Sequence, residues 1–243
     1  MLRNQEHFKD ILALQREVKG AGTDKIVIDG VKELKGTEYE VIPDRLIAGS
    51  MLMAAGVTGG SVTIENIIPE HLTSCLEKLK EVGMEFSVGE KSVSVQKASG
   101  RLKATRVKTG MYPLFATDLQ QPITSLLLVP EGKSIITDPI YPNRFNHIPE
   151  LKRMGASIEV KGNSAYILGN QTLKGNWVHA TDVRAGTCLI LAGLMTEGIT
   201  RITGVEHIER GCSSITELFR GIGANLKECQ TSEPEVGVNL DVC

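Results

Sequence analysis

The hydrophobic and polar positions of this chain follow a pattern that occurs three times. It is seen in PDRLIAGSMLMAAGVTGGSVTIEN from Pro43, ATDLQQPITSLLLVPEGKSIITDP from Ala116 and ATDVRAGTCLILAGLMTEGITRITGV from Ala180. In each stretch an Asp precedes an apolar run of helical length, and a turn containing Gly follows. In the next segment apolar and polar residues alternate with period two. The pattern predicts a buried helix followed by a strand, in three copies.

A second helix and further strands are predicted after each of these pairs. HLTSCLEKLKEVGMEFSV, NHIPELKRMGASIEV and SSITELFRGIGANLKE place Leu or Ile at helical spacing and then run through Gly into a strand. The glycines at the helix ends, Gly83, Gly155 and Gly223, suit a left-handed cap. One unit therefore contains helix, strand, helix, strand and strand. At about twice the length of a solenoid repeat, it favours a compact pseudo-threefold α/β domain.

The ends of the chain do not coincide with the unit boundaries. Residues 8–43 match the second half of a unit, so we interpret 1–43 as the trailing half of an upstream unit. The last unit is predicted to stop near Glu228 before its final strands, and the tail 229–243 lacks periodicity, so we expect it to be disordered. Two hypotheses follow for the leading half. It completes the last unit, or it belongs to an upstream domain.

Composition and charge exclude several classes of function. A net charge of −2 and an aromatic content of 4% do not fit a nucleic-acid surface. No apolar run approaches the roughly 20 residues of a membrane-spanning helix, and the charged start is not a signal peptide. Five scattered cysteines without a C-x-x-C pair indicate reduced thiols in a cytoplasmic protein. The scattered histidines give no support for a metal site.

Aspartates and arginines lie at repeated positions next to the predicted helices. The aspartates are 74 and 64 residues apart, and each is expected to cap its helix. Two arginines occupy equivalent loop positions in different units, and a third follows the last of the aspartates by two residues. Guanidinium groups bind carboxylate and phosphate, so we predict a shared anion pocket, with solvated surface charges as the alternative. These residues are Asp44, Asp118, Asp182, Arg144, Arg210 and Arg184.

Five ordered motifs resemble the enolpyruvyl transferases, and within them the branch that acts on UDP-N-acetylglucosamine. The motifs are YEVIPDRLIAG, KTGMYPLFATDLQQP, NRFNHIPELKRMGA, ATDVRAGTCLILAGLMTEG and HIERG. They span most of the chain and correspond to the C-terminal part of the family's usual length. The resemblance implies an inside-out α/β barrel domain over residues 44–228, built from βαβαββ units around a pseudo-threefold axis.

The resemblance also implies a reaction. Enolpyruvyl transferases of this branch move the enolpyruvyl group of phosphoenolpyruvate to the 3-hydroxyl of UDP-N-acetylglucosamine and release phosphate. This is the first committed step of peptidoglycan synthesis, and it uses neither a metal nor an organic cofactor. Phosphoenolpyruvate and UDP-N-acetylglucosamine are therefore the implied ligands.

Site residues from different units are implied as well. Asp118 matches the family aspartate that binds the sugar and acts as the base on its hydroxyl, and Ile140 matches a backbone contact to the sugar nucleotide. Arg184 and Arg210 match arginines that hold phosphoenolpyruvate. Two more residues match positions in the same region of the pocket, Arg144 and Asp182.

The family's catalytic cysteine and lysine have no counterpart in this chain, because they belong to its N-terminal domain. Cys75, Cys188 and Cys212 lie where the family has no catalytic cysteine. We therefore expect the chain to be inactive alone and to need a separate N-terminal half or a second copy of itself. The alternative is a non-catalytic truncated homologue that acts as a sugar-nucleotide-binding or regulatory module.

Overall fold

The computed structural model separates into two compact units, residues 1–43 and 44–243. It describes residues 18–20, 25–30, 33, 38–96, 100–212, 214–230 and 238–243. In the first unit, β1 (Val18–Lys19) and β2 (Val27–Ile28) pair antiparallel. The helix that the sequence predicts before them lies outside the described residues.

The second unit contains all the remaining described elements. Its helices are α1 (Arg45–Thr58), α2 (Thr73–Val82), α3 (Gln120–Leu126), α4 (Ile148–Arg153), α5 (Val183–Gly193), α6 (Val205–Glu209) and α7 (Ile215–Gly221). Short 3-10 helices precede α2 and α3, at Pro69–Leu72 and Thr117–Leu119. Its strands are β3 (Val62–Glu65), β4 (Glu85–Val88), β5 (Ser92–Gln96), β6 (Arg106–Lys108), β7 (Lys133–Thr137), β8 (Ser157–Lys161), β9 (Ser164–Leu168), β10 (Trp177–His179), β11 (Thr200–Thr203), β12 (Leu226–Gln230) and β13 (Val238–Val242).

The described strands of the second unit form three sheets that repeat one topology. Two sheets have the orders β6-β7-β9-β8 and β10-β11-β13-β12, with their first pair parallel and the others antiparallel. The sheet β3-β5-β4 has the same antiparallel pairs, and among the described residues it has no counterpart of β6 or β10. These three copies match the threefold pattern predicted from the sequence.

The core lies around three helices that contact one another, α1, α3 and α5. All seven residues of α3 are buried, and in α5 every residue from Arg184 to Gly193 is buried. Most buried positions of α1 and α5 are apolar, as expected for helices without an exposed face, whereas α3 also buries the polar side chains of Gln120, Gln121, Thr124 and Ser125. The second helix of each unit carries its apolar residues on one face, as α2 does at Cys75, Leu76, Leu79 and Val82.

The prediction of a disordered tail over residues 229–243 is wrong where the structure describes that segment. β12 extends to Gln230, and β13 lies between β11 and β12 in an antiparallel arrangement. Leu240 and Val242 are fully buried, which accounts for the period-two spacing of VNLDV. The last unit therefore contains its own final strands, and the prediction that it stops near Glu228 is also wrong.

Glycines act at the helix ends and at one close packing contact. Gly83, Gly155 and Gly223 have φ values of 97°, 100° and 92°, as predicted for left-handed residues after helices. Inside α5, a Cβ on Gly193 would lie 2.9 Å from the Cβ of Val242, and a Cβ on Gly186 would overlap Ile208. Glycine therefore lets β13 and α6 approach α5 closely.

The burial of β13 gives the first prediction. Leu240→Ala removes a fully buried side chain and should lower the free energy of unfolding by about 2–4 kcal/mol. Leu168→Ala is the matched control, because Leu168 ends β9, the equivalent strand of the neighbouring sheet, and is 45% exposed. Urea denaturation measures both, and equal losses would contradict a buried β13.

Candidate active site

The beginnings of the three buried helices lie close together. A Cβ on Gly49 of α1 would be 3.0 Å from Leu119, which precedes α3. The guanidinium Nη2 of Arg184, at the start of α5, lies 3.8 Å from Oδ2 of Asp118. Each repeat unit thus contributes the start of one helix to a common place, where backbone N–H groups and side-chain charges converge.

Two of the three repeated aspartates cap their helices, as expected. Asp44 accepts hydrogen bonds from the N–H groups of Leu46 and Ile47 at 2.7 and 3.3 Å. Asp182 accepts them from Arg184 and Ala185 at 2.8 and 3.1 Å. These bonds satisfy backbone donors that a helix start leaves without partners.

Asp118 differs from the other two, and the prediction that it caps α3 is wrong. It lies within the 3-10 helix Thr117–Leu119, and neither that helix nor α3 has a side-chain cap. Its carboxylate instead accepts a hydrogen bond from Nη1 of Arg144 at 2.7 Å and faces Arg184. Asp118 is 14% exposed, Arg144 24% and Arg184 8%, so this cluster is partly shielded from water.

A further arginine near this cluster was not among the predicted site residues. Arg45, the first residue of α1, lies with its guanidinium 5.3 Å from the centre of the Tyr112 ring. Burial lowers the pKa of Arg45, while Tyr112 and the charges of Asp118 and Asp44 act to raise it. Its position directly after Asp44 is the sequence signal that could have identified it.

Asn146 connects two of the helix starts. Its Nδ2 donates to Oδ2 of Asp182 at 3.0 Å and to Oγ1 of Thr181, and its Oδ1 accepts from Nε2 of Gln121 at 3.1 Å. Burial acts to raise the pKa of Asp182, but the hydrogen bonds from Asn146 and the backbone outweigh it and lower the pKa below the ordinary value. Asn146 lies two residues after Arg144, inside a motif that the sequence analysis quoted.

The other predicted positions, Ile140 and Arg210, differ in how close they lie to the cluster around Asp118. Ile140 is half-buried three residues after β7, and its N–H donates to Oδ1 of Asp138 at 2.9 Å. Any ligand contact through its backbone must therefore use the carbonyl. Arg210 ends α6 and is exposed, and in the described part of the chain we find no ion pair to it. Its neighbour Gly211 packs against Val183, so Arg210 lies beside the start of α5.

A buried imidazole and two buried thiols near the cluster are held in their neutral forms. Burial lowers the pKa of His147 to about 3, and its Nε2 shares a hydrogen bond of 3.1 Å with Oγ1 of Thr124. Burial raises the pKa of the Cys75 and Cys188 thiols to about 12 each. These thiols are therefore poor nucleophiles. The side-chain amide of Gln120 is fully buried and has no hydrogen-bond partner among the described residues.

The described residues lack two features, a metal-binding cluster and a membrane-spanning helix. They contain no group of three or more His, Cys, Asp or Glu side chains that could hold a metal ion. No helix among them has both the length and the apolar character needed to cross a membrane.

The bonds of Asp182 predict a pH-dependent loss of stability in its variant. Asp182→Ala removes both the cap and the Asn146 contact, so it should cost more than Asp44→Ala, a cap-only control worth about 1 kcal/mol. A lowered carboxyl pKa stabilises the fold above the ordinary value of 3.8, and this contribution is lost as the pH falls through the folded-state pKa. Urea denaturation of wild type and Asp182→Ala from neutral to acid pH checks this. If the difference in unfolding free energy between the two proteins stayed constant below pH 3.8, this prediction would be contradicted.

Comparison with known proteins identifies related chains. The family model for EPSP synthase (3-phosphoshikimate 1-carboxyvinyltransferase) matches residues 9–219. Proteins named UDP-N-acetylglucosamine 1-carboxyvinyltransferase 2 are 47% identical in Geobacillus kaustophilus, 46% in Bacillus subtilis and 48% in Listeria monocytogenes. The matches cover 90%, 93% and 90% of this chain and 51%, 53% and 52% of those proteins, so the chain spans about half their length.

Solved structures show the same fold. The enolpyruvyl transferase NikO from Streptomyces tendae matches with a TM-score of 0.70 at 24% identity, over 76% of this chain and 44% of that one. EPSP synthase from Acinetobacter baumannii matches with a TM-score of 0.61 at 17% identity, over 84% and 46%. The predicted fold class is confirmed. The chain belongs to the EPSP synthase family of 1-carboxyvinyltransferases, the enolpyruvyl transferases.

Proposed function

We propose that this chain forms the part of a UDP-N-acetylglucosamine 1-carboxyvinyltransferase that binds the sugar nucleotide and supplies the general base. The observation that carries the proposal is the position of Asp118. Unlike Asp44 and Asp182 it does not cap a helix, and its carboxylate contacts Arg144 of its own repeat unit and Arg184 of the next unit. A carboxylate that contacts cations instead of capping a helix is suited to bind a ligand.

The proposed reaction requires one proton transfer at this carboxylate. The 3-hydroxyl oxygen of the sugar bonds to C2 of phosphoenolpyruvate while its proton passes to Asp118, and an acid outside this chain protonates C3. Elimination then removes a proton from C3 and breaks the bond between C2 and the phosphate oxygen. The Asp118 carboxylate must lie within hydrogen-bond reach of the hydroxyl for the first step.

The arginines have a second role in this proposal. Arg144 and Arg184 both contact the carboxylate of Asp118. Phosphoenolpyruvate carries a carboxylate and a phosphate that compete for the same guanidinium groups. Its binding would draw the arginines away from Asp118 and leave that carboxylate a stronger base. Arg210, Ile140 and Asp182 belong to the same proposed site.

The half-length match supports a proposal about partners. In this proposal the acid and the remaining phosphate contacts come from a separate N-terminal half or from a second copy of this chain. The alternative, a non-catalytic homologue that only binds sugar nucleotide or regulates another protein, is favoured by the same observation, because the chain spans about half its relatives. A cytoplasmic location and a role in peptidoglycan synthesis are part of the first proposal.

Calorimetric titration with UDP-N-acetylglucosamine tests the binding role. The wild-type chain should bind. Asp118→Asn should weaken binding by about tenfold, or 1.4 kcal/mol, because the sugar hydroxyl donates a weaker hydrogen bond to a neutral amide than to a charged carboxylate. Asp44→Asn is the matched control. Asparagine caps a helix as well as aspartate, so this variant should bind like wild type. Absence of binding by a folded wild-type chain would refute the proposal.

Phosphate release separates the enzyme from the binding module. With both substrates, this chain alone should release no phosphate, since the missing positioning contribution reaches about 7–11 kcal/mol. Addition of the N-terminal half of the Bacillus subtilis relative should restore release, and Asp118→Asn in this chain should abolish it again. Binding of sugar nucleotide without any restoration would favour the non-catalytic module. Release by the chain alone would contradict the need for a partner.

A further inference from the structure

Asp138 is a buried carboxylate that the proposed reaction does not use. It follows β7 and is 0% exposed. Its Oδ1 accepts a hydrogen bond from Oγ1 of Thr109 at 2.7 Å and from the N–H groups of Ile140 and Tyr141 at 2.9 Å each, and its Oδ2 accepts one from Oγ1 of Thr117. A buried charge is tolerated when donors surround it in this way.

These four bonds hold the two loops that carry the candidate site. Thr109 and Thr117 delimit the loop after β6, and Thr117 directly precedes Asp118. Ile140 and Tyr141 begin the loop after β7, which leads to Arg144. The 2.7 Å contact between Asp118 and Arg144 joins the same two loops a few residues further along. The carboxylate of Asp138 therefore lies at the base of both loops, and the ion pair lies at their far side.

The internal repeat shows that this carboxylate is specific to one unit. The N–H of Thr109 donates to the carbonyl of Thr137, and the N–H of Ala180 donates to that of Thr203 in the next unit, so Asp138 and Gly204 are equivalent. Gly204 has a φ of 74°, and Asn66, which follows β3 in the first unit, has a φ of 56°. At these positions the other units turn the backbone in a left-handed residue. Only the unit with the uncapped Asp118 has a carboxylate there.

We infer that Asp138 is a positioning residue for the ligand-binding pair Asp118 and Arg144, acting through the hydroxyl of Thr117 and the amides of Ile140 and Tyr141. Without the Thr117 bond the short 3-10 helix can shift relative to the loop after β7. Because the Asp118 to Arg144 contact spans these two segments, such a shift changes it directly. This inference rests on the proposed function for its ligand, but the pair itself can be observed without one.

A matched pair of variants tests it. Thr117→Val and Thr109→Val each delete one hydroxyl bond to the same carboxylate, but only Thr117 adjoins Asp118. Thr117→Val should weaken binding of UDP-N-acetylglucosamine by about tenfold, the loss expected when one hydrogen bond to a charged group is weakened. Thr109→Val should bind like wild type, and Thr117→Ser should restore binding because it keeps the hydroxyl. Both valine variants should have similar melting temperatures, since each loses one bond to Asp138.

A ligand-free measurement keeps the inference distinct from the proposed function. In NMR spectra, the guanidinium signals of Arg144 should be alike in wild type and Thr109→Val and should change in Thr117→Val. If wild type does not bind the sugar nucleotide but these signals differ as expected, the proposed function fails and the positioning role stands. Equal effects of the two valine variants on binding and on the Arg144 signals would overturn the inference, because Asp138 would then only support the fold.

Discussion

Burial of the three central helices on all sides is the constraint on which the rest of the structure depends. In a helix that is buried along its whole length, the backbone groups without helical partners lie at the ends, and the first N–H groups need other acceptors. At α1 and α5 an aspartate supplies them. At α3 a 3-10 turn precedes the helix and no side chain caps it. The carboxylate of Asp118 instead contacts Arg144 of its own unit and Arg184 of the next unit.

The resulting cluster combines arginines with aspartates, since Asp44 and Asp182 also lie close enough to interact with arginines of the cluster. Arg45, Arg144 and Arg184 surround the single uncapped carboxylate of Asp118, and Tyr141 and Tyr112 pack against two of them. Partial burial strengthens the interaction of these guanidinium groups with any anion that enters. The nearby His147 remains neutral because burial lowers its pKa to about 3.

Much of the fold could be predicted from the sequence because each repeat unit uses the periodicity of its own side chains. The apolar segments of helical length, the glycines after the helices and the repeated aspartates all depend on neighbours within a few residues. The local pattern is the same for all three aspartates, so it did not predict that Asp118 leaves α3 uncapped, and only the resemblance to the family assigned Asp118 a different role. Its role depends on Arg144, which is distant in sequence and near in space.

Two other features were missed for related reasons. β13 was not predicted because its alternation covers only five residues and follows a polar segment, while its burial depends on pairing with β11. Asn146 and Asp138 were missed because their importance comes from hydrogen bonds to residues more than twenty positions away. Polar side chains that join loops have no periodicity, so sequence patterns do not reveal them.

The glycines inside α5 have a consequence for the evolution of this protein. Glycine within a helix costs about 1 kcal/mol relative to alanine, so Gly186 and Gly193 are locally unfavourable residues. A methyl group at Gly186 would meet Ile208 and push α5 away from α6. Arg184 lies two residues earlier on the same helix and would move with it. We therefore expect alanine at Gly186 to be selected against, because it would displace Arg184 from its contact with Asp118.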